Sequence, residues 1–447
     1  MGRRLVVVLA LIAGLQAVPA HAQSPAVSLF ARVPEPGQPE GITVTQDGTA
    51  YVGTNNAGDG ENVPRRPSKV FAYGADGKLQ RDYTVDGQDV SNNLYGLYGL
   101  ADDAVGNVYL ADRVPARVVK LDRSTGAQSD YARIPDLKPC LPAGGPAPCS
   151  KASSDQQPFP DGLAFGPRGE LYVTDSVQAA IWRIPPGGGE PQLLISDARF
   201  DASVSGPNGI TVSPDGRTLT VAQSNFPPGP GADYANGRIY KVPLSADGAQ
   251  VAGDLQLLWE GKPFDVPDGF AVGRSGRLYV ALSGADSMLI LGPDGKEIGR
   301  FPSSDENARQ EVPFDKPASV AFLGDRALVT NQSLFNRDPT HWAVLAVGAG
   351  ETGQAPFRPG ARLRLALTPP HVSAGRRTRF TATVTSGGAP ASGAKVQIGR
   401  ARALTAADGT AHLSVPVTRA GLRRAHAALL GYVTGTARYR AAARPRR

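Results

Sequence analysis

The chain has 447 residues, enough for two or three domains with buried cores. Glycine (53) and proline (39) make up about a fifth of it and charged residues only 19%, which argues against a helical protein, while 41% apolar residues in short alternating runs argue against disorder. The net charge of +7 is uneven: residues 361–447 hold 16 Lys and Arg against one acid, Asp408, leaving −8 on residues 1–360, so an acidic body carries a basic tail.

At the start of the chain, Arg3 and Arg4 precede an apolar run at 5–15, and "AHA" at 20–22 is a small-x-small cleavage site. Residues 1–22 therefore read as a signal peptide, and the mature protein as secreted or otherwise extracytoplasmic. The run is too short for a membrane span, and no cysteine follows the site to take a lipid. The Arg3-Arg4 pair fits general export and the twin-arginine route alike.

From residue 27 to 348 one pattern returns six times. "PEGITVTQDGTAYVGT" opens it, followed by "LYGLADDAVGNVYLAD", "PDGLAFGPRGELYVTD", "PNGITVSPDGRTLTVAQ", "PDGFAVGRSGRLYVAL" and "PASVAFLGDRALVTN". Each is a strand, a tight turn and a second strand, and a third follows ("KVFAYG", "RVVKLD", "AIWRIP", "RIYKVP", "MLILG", "AVLAV"). Most repeats add a glycine turn and a fourth strand. Six such units predict an all-β, six-bladed β-propeller. The sixth unit lacks a fourth strand, and "SLFARVP" at 28–34 resembles "SDYARIP" at 129–135. The N-terminal strand is therefore expected to complete the last blade and close the ring without an exposed edge, as a monomer.

The only cysteines, Cys140 and Cys149, lie in "KPCLPAGGPAPCS" and predict a disulfide that enters the third blade as an insertion. Residues 349–360 read as a linker by composition. Beyond them, 361–447 alternate in strands around a DG hairpin, as in a small β-sandwich of immunoglobulin type. Its "GAKVQIG", "TAADGTAHLSV" and "GY" resemble bacterial Ig-like modules appended to exported proteins, which implies an accessory role. Its charge would draw an anionic surface polymer; it carries no aromatic-and-basic platform for nucleic acid.

One position in each repeat changes its polar identity. The residue that opens the first strand is Glu40, Tyr98, Asp161, Asn208, Asp268 and Ala318 in turn. First strands line the channel of a propeller, so this slot is expected to ring one mouth. Crowded carboxylates with an amide and no histidine favour a hard divalent cation, Ca²⁺ before Mg²⁺. The one histidine of the propeller, His341, falls in a loop, against zinc. The long loops 53–69, 223–237 and 331–342 return to the same mouth.

These residues resemble the senescence-marker-protein/gluconolactonase (regucalcin-like) family of six-bladed propellers. The resemblance implies a divalent ion held by Glu40 in "PEG", Asn208 in "PNG" and Asp268 in "PDG", and a hydrolase of lactones or related esters, with Asp268 or Asp161 as general base. Tyr95, Tyr98, Phe159 and Phe226 are candidate pocket walls. Two departures stand out. Pro160 replaces the Asn of the family's "NDG" turn, and the arginine expected just upstream is missing from Gln157-Pro158-Phe159. These favour the alternative of a non-catalytic ligand-binding propeller with a structural Ca²⁺; metal-free chemistry of the strictosidine-synthase kind would leave the metal trio unexplained.

Overall fold

A computed structural model describes residues 25–55, 65–140, 148–202, 205–225, 236–360, 362–386, 389–429, 432 and 434–443. The signal peptide read at 1–22 and Phe226 lie outside them.

The protein is almost entirely β. Six four-stranded antiparallel sheets each run outward from a first strand: Pro39–Val44, Leu97–Asp102, Pro160–Phe165, Pro207–Val212, Pro267–Val272 and Pro317–Leu323. These first strands pack in order around a circle, the last against the first, which makes a six-bladed propeller. In the sixth sheet the outer strand is Val27–Arg32, paired antiparallel with Ala343–Gly348 from Val27↔Val347 to Arg32↔Ala343. The closing strand thus comes from the front of the chain.

Glycine in the repeated phrase has a steric cause. The first strands approach so closely that a Cβ on Gly41 would lie 1.8 Å from the Tyr98 carbonyl oxygen of the next blade, and one on Gly162 2.3 Å from that of Asn208. Hydroxyls staple the blades at the same level: Thr174 Oγ1 donates to the Asn208 carbonyl (2.7 Å) and Ser224 Oγ to that of Pro267 (2.7 Å). Below the glycines, Ile42, Leu100, Leu163, Ile210, Phe270 and Val320 form a buried apolar belt, one residue from each blade.

The segment read as a linker is a strap. Glu351 accepts from Ser275 N (2.7 Å) and Tyr279 Oη (3.0 Å), Gly353 bridges Gly273, Gln354 N donates to the Val272 carbonyl (2.7 Å), and Ala104 N donates to that of Pro359 (3.0 Å). It therefore runs from blade five to blade two across the far end of the channel. Beyond it, two sheets share a core of their own, including Leu365, Phe380, Val384, Val396, Leu413 and Val415. The strand Thr410–Val417 alternates buried and solvent-facing residues as one wall of such a core requires. Cys140 and Cys149 are disulfide-bonded, with Cα atoms 5.0 Å apart.

Candidate metal-binding mouth

A shared backbone irregularity builds the site. In every blade the register between first and second strands shifts by one residue at the variable slot: Pro39 pairs with Thr54 but Ile42 with Val52, Pro160 with Asp175 but Leu163 with Val173, Pro267 with Leu282 but Phe270 with Val280. The other three blades carry the same bulge. A bulge leaves residues outside the ladder and re-aims a side chain. Proline precedes the slot in five of six blades, at the strand's first position, where a proline is tolerated.

The structure brings Glu40, Asp161, Asn208 and Asp268 together at one mouth. All four are at least 94% buried. The Asn208 amide hydrogen-bonds to Asp268, and the Asn55 side chain to Glu40. Ser176 Oγ lies 2.8 Å from both Asp161 Oδ2 and the Pro207 carbonyl. Two carboxylate oxygens, Glu40 Oε2 and Asp268 Oδ1, are buried with no hydrogen-bond partner among the described residues. Burial pushes Glu40 well above the usual carboxylate range, and the charges of Asp268 and Asp161 push it further. Asp268 is raised by burial and then by Asp161. Burial lifts Asp161 to about 7 although Ser176 and Arg113 oppose it.

These features pass the test for a cation. Unpartnered carboxylate oxygens at a buried mouth carry a desolvation cost that a metal removes. Among the described residues no three His, Cys, Asp or Glu side chains form a metal cluster by themselves. The residues that would hold a cation are two carboxylates, Glu40 and Asp268, with the amide oxygen of Asn208. His341 is engaged elsewhere, its Nδ1 2.9 Å from Asp315 Oδ2.

Of the candidate wall residues, Tyr98 and Phe159 meet edge-to-face with ring centroids 4.4 Å apart, whereas Tyr95 is fully buried. One residue at the mouth escaped the sequence reading. The guanidinium of Arg113 lies 3.9 Å from the Phe159 ring centroid, and its Nη1 is 3.5 Å from Tyr98 Oη. It immediately follows a second strand, one position past the repeated phrase "VYLAD". A periodic signal was present there. The equivalent residues are Asn55, Arg113, Ser176, Ser224, Ser283 and Gln332, and each donates its backbone N–H to the carbonyl two residues before its own blade's slot. They form a second ring.

A cavity of about 590 Å³ lies at the other end of the channel, between the apolar belt and strap residues 352–358, and includes none of the slot residues. Asp102 lines it. Its carboxylate is bound by Arg358 Nε from the strap and by Thr43 Oγ1 (2.8 Å), while Arg358 Nη2 donates to the Val44 carbonyl (2.7 Å).

Comparison with known proteins agrees with the architecture. Residues 190–330 match the model of the SMP-30/Gluconolactonase/LRE-like region. A gluconolactonase of Zymomonas mobilis is 25% identical over 186 residues, covering 37% of this chain and 47% of that protein, so the match spans about half the length of that relative. A calcium-binding protein, regucalcin, from Agrobacterium tumefaciens superposes with a TM-score of 0.51 at 19% identity, over 75% of this chain and 96% of the other. A gluconolactonase of Xanthomonas campestris superposes at 0.46 and 17% identity, over 72% and 89%. The similarity to the SMP-30/Gluconolactonase/LRE-like region thus lies at residues 190–330, and the superposition on regucalcin shows a shared fold.

Proposed function

We propose that this SMP-30/gluconolactonase-like propeller is a metal-dependent hydrolase of lactones or related esters, working at the acid-lined mouth. The observation that carries the reading is the pair of buried, unpartnered oxygens, Glu40 Oε2 and Asp268 Oδ1, beside the Asn208 amide. Oxygen donors without histidine favour a hard cation, and the permissive geometry of Ca²⁺ suits a site built from three separate blades. An ion bound there supplies Lewis acidity to an ester carbonyl and to water.

The remaining work falls to side chains. Glu40, Asn208 and Asp268 hold the cation, each on a bulged strand whose position is set by the ring. Asp161 lies outside that trio, is buried, and has one oxygen fixed by Ser176. Asp268 and Asp161 are the two candidate bases for the proton of the attacking water, and the position of Asp161 outside the trio favours it in this reading. The Tyr98–Phe159 pair forms an apolar wall that shields the reacting group from solvent. We also read the protein as exported: the Cys140–Cys149 disulfide fits an oxidising compartment, and among the described residues no helix is long and apolar enough to cross a membrane.

Calorimetric Ca²⁺ titration of metal-stripped protein, wild type beside Asp268→Ala, followed by a panel of lactones and aryl esters, tests the reading. Binding and turnover lost together support it. Wild-type Ca²⁺ binding with no turnover on any substrate would leave a ligand-binding propeller with a structural ion, and turnover retained in Asp268→Ala would remove the assigned site.

A further inference from the structure

We propose that Arg113 is an anion subsite at the metal mouth, and that the substrates are lactones or esters carrying a carboxylate away from the bond that is cleaved. The substrate class rests on the hydrolase reading; the anion subsite does not.

The second ring provides the contrast. Its six members occupy equivalent backbone positions, and five are neutral: Asn55, Ser176, Ser224, Ser283 and Gln332. Two of these serve the fold directly, since Ser176 Oγ and Ser224 Oγ each reach a backbone carbonyl of the following blade at 2.8 and 2.7 Å. Arg113 makes no such bond. Its guanidinium carbon lies 3.9 Å from the ring centroid of Phe159 of the following blade, and its side chain donates a long hydrogen bond to Tyr98 Oη. The two buried arginines of the described residues are ion-paired: Arg117 to Asp112 (3.0 Å) and Asp130 (2.8 Å), and Arg358 to Asp102. Among the described residues, Arg113 has no carboxylate within ion-pair distance. A guanidinium stacked on an aromatic ring is held in place by its face, and its edge keeps the donor fork that matches a carboxylate.

Charge balance gives the subsite a purpose. Glu40 and Asp268 match a divalent cation, and Asp161 then leaves one surplus negative charge in the mouth. Arg113 offsets it; its charge acts on Asp161 and on Tyr98. A ligand carboxylate thus meets a neutral mouth with one half-buried guanidinium instead of a repelling acid ring. An amide or hydroxyl at this position, as in the other five blades, would leave the repulsion.

The test uses the full chain saturated with Ca²⁺, with glutarate as the probe. Calorimetry should show glutarate binding to wild type, weakened about tenfold or more in Arg113→Gln and by less in Arg113→Lys, which keeps the charge but loses the fork. Circular dichroism and the thermal midpoint establish that both variants are folded. Equal glutarate affinity in wild type and Arg113→Gln would mean that the carboxylate sits elsewhere, on the cation for instance, and overturns the proposal; so does absence of binding to wild type. A second arm compares 4-nitrophenyl hemiglutarate with 4-nitrophenyl acetate, which share a leaving group. Wild type should favour the acidic ester by about tenfold in kcat/KM, and Arg113→Gln should bring that ratio towards one through KM. Arg113-dependent glutarate binding without turnover of either ester would end the hydrolase reading and retain the subsite. Turnover with a ratio indifferent to Arg113 would do the reverse.

Discussion

The two ends of the channel bury acids in opposite ways. At the far end Asp102 is satisfied: it sits two residues past the apolar belt, where the other five blades carry Val44, Phe165, Val212, Val272 and Phe322, and it receives Arg358 and Thr43. At the mouth Glu40 and Asp268 each keep an oxygen with no partner. A fold can bury a carboxylate cheaply only by supplying its hydrogen bonds. The far end is accordingly structural, an anchor for the strap, whereas the mouth buries acid oxygens that the described residues leave unsatisfied.

That difference is open to direct attack. The largest effect is expected from Asp102→Ala, which leaves Arg358 as a buried, uncompensated charge: stability should fall by about 3–5 kcal/mol in denaturant unfolding, with Ca²⁺ affinity intact. Loss of Ca²⁺ binding instead would mean that the two ends are coupled. Glu40→Gln should behave oppositely. It removes the charge of an acid with one unsatisfied buried oxygen, so the metal-free protein should be as stable as wild type or more so, while Ca²⁺ affinity drops about a hundredfold, or ~2.7 kcal/mol, by calorimetry. Destabilisation of the metal-free form would show that the charged Asn55–Glu40 contact holds the fold.

Asp112 is an intermediate case. It is paired with Arg117 and Gln88, yet burial still lifts it to about 6. The folded state therefore holds this proton more tightly than the unfolded chain, so the contribution to stability is complete below about pH 4 and is lost as pH rises through about 6. Thermal midpoints measured from pH 4 to 7 should fall less steeply in Asp112→Asn than in wild type; parallel profiles would contradict this. Arg358→Lys should give the smallest change. It keeps the charge opposite Asp102 but gives up the guanidinium fork that also reaches the Val44 carbonyl, at a cost of about 1 kcal/mol. A loss as large as that of Asp102→Ala would place the strap's hold in the fork and not in the charge.

Much of this was legible in the chain. The repeated phrase located the blades, the slot located Glu40, Asp161, Asn208 and Asp268, and the likeness of 28–34 to 129–135 located the closing strand. Arg113 is not marked by the strand pattern because it lies one residue past the second strand, "VYLAD", where the apolar alternation has ended. The upstream arginine absent near Phe159 is thus not the end of the matter: a cation from blade two lies on that very ring. The strap was read as a linker because glycine and proline there signal irregular backbone, and irregular backbone can still be pinned, as Glu351, Gln354 and Arg358 show.

The sequence by itself determined what repeats: strand, turn, glycine and polar slot are local properties, and periodicity makes them visible. Only the tertiary structure decided what meets across blades. The packing of Arg113 on Phe159, the capture of Asp102 by a residue 256 positions later, and the burial of one unsatisfied oxygen each on Glu40 and Asp268 follow from ring closure. Closure brings distant segments to one axis, and no local pattern records which side chains will then be neighbours.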